Sequence, residues 1–236
     1  MGREIVLDTE TTGLNPEHAE EPDRIVEIGC VELEDKVPTG EVFHCYINPE
    51  RLMPISAFQI HGLSDQFLAD KPLFAQIVDP FLKFIGDAPL VIHNAAFDMR
   101  FINSELKRIQ MSTIPMSRSI DSLQLARSKF PGKSANLDAL CKRFKIDLSE
   151  RQKHSALLDA KLLAAVYLEL VGGKQAKLEF ASTNQLDANH EGNIEKPLFQ
   201  QNHETLAPRD FAPSKDEIKA HQNFLASIKN ALWNRT

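Results

Sequence analysis

Four acidic residues and one histidine have the chemistry and the positions to hold divalent metal ions. They are Asp8, Glu10, Asp98, His154 and Asp159. Each lies where an apolar segment meets a polar turn, so folding can bring them to one edge of a sheet without burying unpaired charge. Carboxylate oxygens suit Mg²⁺ or Mn²⁺, and neither a thiolate nor a second histidine accompanies them, which argues against zinc.

The first two carboxylates lie on a predicted strand. Side chains two positions apart on a strand point to the same face, about 7 Å apart, so Asp8 and Glu10 can serve one metal cluster. Asp98 follows a short buried strand and falls in the first turn of the next predicted helix. Its alternative role is a helix-start residue that interacts only with the helix dipole.

The spacing of His154 and Asp159 places the histidine before a helix. Five helical residues turn through about 500°, so both side chains would face different directions if both were inside the helix. Four carboxylates suit a pair of ions about 4 Å apart, which stabilise the attacking and leaving oxygens in phosphodiester hydrolysis. His154 would then deprotonate the attacking water, although a lone exposed histidine often has no function.

The elements that must position these residues form an α/β pattern. Strands are predicted over residues 4–10, 23–33, 42–47, 90–92 and 119–121, with a polar turn at Asp35-Lys36. After the first three strands, helix alternates with strand, and a last long helix ends at Gly172-Gly173. The pattern predicts a mixed sheet flanked by helices.

Composition indicates a globular chain of 236 residues with 42% hydrophobic residues and three cysteines without a CxxC pair. We expect reduced cysteines, a cytoplasmic location and no membrane partner. The net charge of −6 is uneven, because residues 100–153 carry 12 basic and 5 acidic side chains. This basic segment favours a polyanionic partner near the site, or else forms a solvated face.

The C-terminal part of the chain has a different composition. Residues 181–213 are polar and aperiodic, which is typical of a flexible linker. Ser214 and Glu217 match a capping box, so a helix is predicted over residues 214–236. Its apolar stripe would dock on a partner protein or fold back on the domain; the stripe is formed by Ile218, His221, Leu225, Ile228 and Leu232, with Trp233 beside it.

Taken in order, the motifs resemble the DEDDh family of 3′-to-5′ exonucleases: Asp8-x-Glu10, His93-Asn94-Ala95-x-Phe97-Asp98 and His154-x4-Asp159. The resemblance covers roughly residues 3–172 and implies a ribonuclease H-like fold with a mixed five-stranded sheet. It implies that the four carboxylates bind two Mg²⁺ or Mn²⁺ ions and that His154 is the general base. It also implies substrate contacts from Thr11, Thr12, Leu14, His61, Asn94 and Phe97.

Within that family the chain resembles the proofreading (epsilon) subunits of bacterial DNA polymerase III. This implies an exonuclease domain at 1–173 that removes mispaired 3′-terminal nucleotides from DNA, and a peptide at 174–180 that binds the sliding clamp through Gln175, Leu178 and Phe180. It implies a linker at 181–213 and a helix at 214–236 that binds the polymerase catalytic (alpha) subunit, and it leaves a small theta-like subunit open. The alternatives are an RNA-processing exonuclease of the same family and a mainly tethering subunit.

Overall fold

A computed structural model describes residues 2–149, 151, 153–172 and 213–227. The first three ranges belong to one folded unit and the last range belongs to a second. The first unit contains a five-stranded sheet, as the sequence predicts. Its strands are β1 (Arg3–Thr11), β2 (Ile25–Glu34), β3 (Val37–Tyr46), β4 (Leu90–Ile92) and β5 (Ser119–Asp121).

The sheet is mixed, with the strand order β3-β2-β1-β4-β5. β1 pairs with β2 in the antiparallel direction and with β4 in the parallel direction, so the first strand of the chain is also the central one. Asp35 and Lys36 form the tight turn between β2 and β3, with φ angles of 50° and 72°. Two successive positive φ angles are the geometry that matches the twist of a two-residue hairpin.

Helices cover both faces of this sheet. Their bounds are α1 (Ile55–His61), α2 (Asp65–Leu68), α3 (Phe74–Ile85), α4 (Ala95–Arg108), α5 (Ser122–Lys129), α6 (Leu137–Phe144) and α7 (Ala156–Leu170). The sequence pattern did not predict α1 and α2. α1 begins after Pro54 without a side-chain cap and leaves Ile55 and Phe58 exposed, so it lacks the signals that mark a helix. No helix among the described residues is long and apolar enough to cross a membrane.

Alternation along β1 assigns its side chains to two different cores. Ile5 and Leu7 pack with residues of α3 and α4, including Phe81 and Phe101. Val6 packs on the other face, with residues of α7 such as Tyr167. Even-numbered positions of β1 therefore face α7, and odd-numbered positions face α4.

One glycine allows α7 to lie very close to the sheet. Gly29 of β2 has no side chain, and a Cβ atom at this position would lie 2.2 Å from the backbone nitrogen of Leu157. No real Cβ atom tolerates such a distance, so any larger residue would push the start of α7 away. Close packing at this point brings the first turn of α7 next to the central strands.

In the second unit, α8 (Lys215–Ser227) begins where the sequence predicts a helix. The Ser214 backbone amide donates to the Glu217 carboxylate at 2.8 Å, and the Glu217 amide donates to Ser214 Oγ at 3.2 Å. These reciprocal bonds confirm the predicted capping box. Ile218 is exposed, as is His221, and Leu225 is partly buried. Ile228, Leu232 and Trp233 lie outside the described residues.

Candidate active site

Two of the candidate carboxylates share one face of the central strand. Asp8 and Glu10 occupy even positions of β1, on the side that faces α7. Glu10 is buried, and it lies directly opposite Glu27 of β2. Like charges would meet across the two strands, so the ionised form of Glu10 is disfavoured unless a cation lies nearby.

Asp98 lies near Asp8 and Glu10 but comes from α4, on the other face of the sheet. It lies in the first turn of α4 and is buried, and the hydroxyl of Thr9 donates to Asp98 Oδ1 at 2.7 Å. Before the helix, Asn94 adopts a left-handed conformation with φ at 67°, and its backbone amide donates to Asp121 Oδ1 at 3.1 Å. The short turn after β4 thus directs Asp98 towards the carboxyl end of β1.

His154 precedes α7, as the five-residue spacing predicts, and Asp159 lies inside its first turn. Asp159 is buried, whereas the His154 side chain is 49% exposed. His154 Nδ1 lies 3.3 Å from Asp159 Oδ2. Ser155 fixes the turn between them, because its hydroxyl donates to the buried Glu27 carboxylate at 2.9 Å.

The structure brings all five candidate metal and base residues to one cleft of about 440 Å³. Within the described part of the chain, one ligand atom each of Glu10, His154 and Asp159 lies within 4.8 Å of the others. The cleft is lined by Asp8, Thr9, Glu10, His93, Asn94, Phe97, Asp98, Asn136, Leu137, Asp138, Arg151, His154 and Asp159. Asn94 and Phe97 therefore lie at the predicted location, and their substrate contacts stay a prediction.

Burial and mutual repulsion strongly disfavour the charged forms of three of these carboxylates. Burial, and then the neighbouring Asp98 and Glu10, raise the pKa of Asp8 well above its usual range. Burial and the facing Glu27 raise the pKa of Glu10 to about 8. Burial also raises the pKa of Asp98 to about 7, although the Thr9 hydroxyl acts in the opposite direction.

Asp159 differs because a cation contacts it. Burial acts most strongly and would raise its pKa, but the hydrogen bonds and charge of Arg151, together with the neighbouring His154, outweigh burial, and the pKa of Asp159 lies below its usual value. Arg151 Nε donates to Asp159 Oδ1 at 2.6 Å, and Nη2 donates to Oδ2 at 2.7 Å. Nη2 also lies 3.0 Å from His154 Nδ1.

This donor set fits divalent metal ions. Carboxylate oxygens and one imidazole converge, and the raised pKa values record a cluster with too little positive charge. Asp8, Glu10, Asp98 and Asp159 would hold the metal, and its positive charge would replace the protons that burial otherwise favours. Among the described residues that line the cleft, Arg151 supplies the one guanidinium.

Three further residues of the site were missed by the sequence argument: Glu27, Thr9 and Arg151. Glu27 comes from β2. It lies opposite Glu10 because of the strand register, which no sequence motif reveals. Thr9 lies between Asp8 and Glu10, and strand alternation could have assigned it to the opposite face, towards Asp98. Arg151 belongs to the basic segment, but nothing in its spacing marks a contact with Asp159.

The residues predicted to form the terminal-nucleotide pocket follow β1. Thr11 is buried, and its hydroxyl donates to the Gly13 carbonyl at 2.7 Å. Thr12 is fully buried; its hydroxyl donates to Asp23 Oδ1 at 2.9 Å and accepts from the Arg24 amide at 3.0 Å. Thr12 could therefore contact a nucleotide only through its backbone, because its side chain is enclosed in the loop.

Leu14 and His61 differ in their exposure to solvent. Leu14 is 77% exposed, which suits an apolar contact with a substrate. His61 ends α1 and is buried, and its Nδ1 accepts from the Leu63 amide at 3.0 Å. The ring lies beside the Thr11 backbone, and its Nε2 makes no hydrogen bond of ordinary geometry to any residue that the structure describes. Because Nδ1 accepts, Nε2 carries the proton and can donate.

The clamp-binding residues Gln175, Leu178 and Phe180, and the linker 181–213, lie outside the described residues. These assignments stay predictions.

A mixed five-stranded sheet flanked by helices, with acidic residues on its central strand, defines the class of ribonuclease H-like nucleases. The family model described as exonuclease (RNase_T) matches residues 5–167. The chain is 51% identical to the DNA polymerase III subunit epsilon of Rickettsia felis over 233 residues, 96% of each chain. It is 45% identical to the Escherichia coli K12 protein of that name, covering 98% of this chain and 97% of that one.

Solved structures agree on the fold. Exonuclease X in complex with 5′-overhanging duplex DNA matches with a TM-score of 0.56 and 28% identity, over 72% of this chain and 91% of that one. The nuclease domain of 3′hExo, a DEDDh family member bound to rAMP, matches with a TM-score of 0.61 and 17% identity, over the same shares, which supports the fold alone. The chain belongs to the exonuclease family, among the bacterial DNA polymerase III epsilon subunits, and it is a 3′-to-5′ exonuclease.

Proposed function

We propose that this chain is the proofreading exonuclease of a bacterial replicative DNA polymerase and removes mispaired nucleotides from DNA 3′ ends. The observation that carries this proposal is the convergence of Asp8, Glu10, Asp98 and Asp159 with His154 at one cleft. Without metal, burial and mutual repulsion disfavour the ionised forms of Asp8, Glu10 and Asp98, so the cluster is better explained by metal-dependent catalysis than by a structural role.

Two divalent ions, Mg²⁺ or Mn²⁺, are the cofactors we assign to this site. When bound, they would supply positive charge against the attacking and leaving oxygens of the phosphodiester. Asp8 and Glu10 would hold them from β1, with Asp98 and Asp159 contributing from α4 and α7. The buried Thr9 hydroxyl fixes Asp98 at 2.7 Å and so sets the direction of that carboxylate.

His154 is the residue we assign as general base. Its side chain is half exposed at the mouth of the cleft, beside two of the carboxylates, so it can receive a proton from water and release it to solvent. Ser155 and Glu27 hold the turn that carries it.

The terminal nucleotide would lie beside the segment that follows β1. His61 supports this placement, because its Nε2 carries a proton beside the Thr11 backbone and could donate to a sugar or phosphate oxygen. Leu14 would pack against the terminal base or sugar, and Asn94 and Phe97, which line the cleft, would contact the strand beside the scissile phosphate. A frayed mismatched end enters such a site more readily than a paired end, because its melting cost is lower.

One experiment tests the activity and the substrate together. Matched DNA and RNA oligonucleotides with paired or mismatched 3′ ends are digested by the full chain with Mg²⁺ and with EDTA. We expect metal-dependent release of 5′-monophosphates, fastest from mismatched DNA, and no hydrolysis by the Asp8→Ala variant with an unchanged circular dichroism spectrum. Faster digestion of RNA would favour the RNA-processing alternative, and wild-type activity in Asp8→Ala would contradict the site.

The C-terminal region is the part we assign to partner binding in the cytoplasmic replisome. Residues 174–180 would bind the sliding clamp, residues 181–213 would act as a linker and residues 214–236 would bind the polymerase catalytic subunit. The exposed Ile218 on the capped helix α8 supports the last assignment. Deletion of residues 214–236 should abolish polymerase binding and leave hydrolysis of free oligonucleotides intact, and undiminished binding would contradict it.

A further inference from the structure

The guanidinium of Arg151 contacts two side chains that the proposed site needs for catalysis. It donates to both carboxylate oxygens of Asp159, at 2.6 and 2.7 Å. It also lies 3.0 Å from His154 Nδ1, and in the tautomer that carries its proton on Nε2 this nitrogen accepts from the guanidinium. One cation thus contacts a proposed metal ligand and the proposed base.

Arg151 is fixed by more than these two contacts. Its Nη1 also pairs with Asp138 at the rim of the cleft, and its side chain is only 10% exposed. Asp138 itself is half exposed and is not one of the four proposed metal ligands. The guanidinium is planar and binds two carboxylates at once, so its orientation is held more tightly than that of a surface ion pair.

A divalent ion and Arg151 cannot both hold Asp159 without cost. Two cations a few ångströms apart repel strongly in a partly buried cleft, where the effective dielectric constant is far below that of water. The ion carries the larger charge and is also attracted by Asp8, Glu10 and Asp98, whereas Arg151 has the alternative partner Asp138. The balance of charges therefore favours release of Arg151 from Asp159 when metal binds.

We propose that Arg151 is a positioning residue that occupies Asp159 and the His154 lone pair until a divalent ion displaces it to the Asp138 side of the cleft. This proposal rests on the metal site assigned above. Before metal binds, Arg151 supplies positive charge to the carboxylate cluster and keeps the base blocked. After displacement, Asp159 and His154 become available together.

The test measures Mn²⁺ binding by the full chain, without nucleic acid, using calorimetry and the electron paramagnetic resonance signal of free Mn²⁺. Arg151→Gln should bind Mn²⁺ about tenfold more tightly than wild type, because a nearby positive charge is gone. Arg151→Lys, which keeps the charge but loses the fork, should lie between them. Lys153→Gln is the matched control, since it removes the same charge from an exposed position of the same loop, and its affinity should stay within about twofold.

A second readout is thermal unfolding. In EDTA, Arg151→Gln should melt below wild type, and its melting temperature should rise more on addition of Mn²⁺. If Arg151→Gln and Arg151→Lys bind Mn²⁺ no more tightly than wild type, Arg151 orients Asp159 for the metal and the proposal is wrong. If wild type binds no Mn²⁺, or Asp8→Ala binds it equally well, the metal site itself fails, and the role of Arg151 fails with it.

Discussion

Gly29 lies directly opposite Asp8 in the antiparallel ladder between β1 and β2. The residue that lets α7 approach the sheet is therefore the cross-strand partner of a candidate metal ligand. Because Asp159 is carried on the first turn of α7, the distance between the carboxylates of β1 and α7 depends on this missing side chain.

Gly29→Ala should damage the site and the fold together. Its Cβ would overlap the backbone of Leu157, so α7 must move outward. We expect a loss of about 1 to 3 kcal/mol in the free energy of unfolding and about a hundredfold lower hydrolysis rate, since small displacements of catalytic groups are costly. Urea unfolding and oligonucleotide digestion measure the two effects. Gly2→Ala, where an added Cβ meets nothing within 4 Å, is the neutral control.

Stability of the metal-free protein should fall as pH rises from about 4 towards 8. The folded chain raises the pKa of Glu10 to about 8 and that of Asp98 to about 7, so it binds more protons than the unfolded chain in this window. A group with a raised pKa stabilises the fold below its unfolded value, and this contribution is lost as pH passes the folded value.

Thermal unfolding in EDTA between pH 5 and pH 8.5 measures this dependence. Glu10→Gln, which cannot ionise, should flatten the slope, and Glu41→Gln at an exposed position should leave it unchanged. Mg²⁺ should also reduce the slope, because the ion takes the place of the bound protons. A slope that Glu10→Gln does not alter would contradict the electrostatic account of the cluster.

Thr9→Val should lower the hydrolysis rate with little effect on the stability of the fold. Valine keeps the shape but removes the hydroxyl that donates to Asp98 Oδ1. Loss of such a supporting contact lowers metal affinity or activity by about 10- to 100-fold in other metal sites, and we expect the same range here. Mn²⁺ titration and digestion rates measure it, with Thr39→Val at the exposed edge strand as the control. Unchanged Mn²⁺ affinity and rate would show that Asp98 needs no support.

Arg118→Ala should destabilise the domain without changing the chemistry. Arg118 Nε donates to the Ala88 carbonyl and Nη2 donates to the Ile85 carbonyl, both at 2.9 Å, at the end of α3. Loss of these charged hydrogen bonds should cost about 1 to 3 kcal/mol, and the Ile85 carbonyl keeps its bond from the Ala88 amide. The hydrolysis rate per folded molecule should match wild type at a temperature where both are folded. A lower rate with full stability would place Arg118 in the site.

The sheet and the convergence of the candidate metal-binding residues could be predicted from the sequence, because both depend on short-range periodicity. Strand alternation placed Asp8 and Glu10 on one face, and helical geometry placed His154 before α7. The mixed five-stranded sheet is confirmed by the structure. The role of each site residue stays a prediction that the experiments above address.

The supporting contacts could not be predicted because they depend on tertiary packing. The pairing of Glu10 with Glu27 follows from the strand register, and the contact of Arg151 with Asp159 follows from the path of the loop before α7. The short helix α1 was missed because Pro54 offers no side-chain cap and its apolar residues are exposed. His61 could be named from a motif, but the bond from the Leu63 amide that leaves the proton on Nε2 is visible only in three dimensions.

The order of the site residues along the chain also matters during synthesis. Asp8 and Glu10 leave the ribosome first, whereas Asp159 is carried by α7, the last helix among the described residues of the first unit. Until that helix has emerged and packed over Gly29, the nascent polypeptide lacks both a complete ligand set and its base. On the proposed assignment, a nascent chain therefore cannot hydrolyse nucleic acid until α7 has folded.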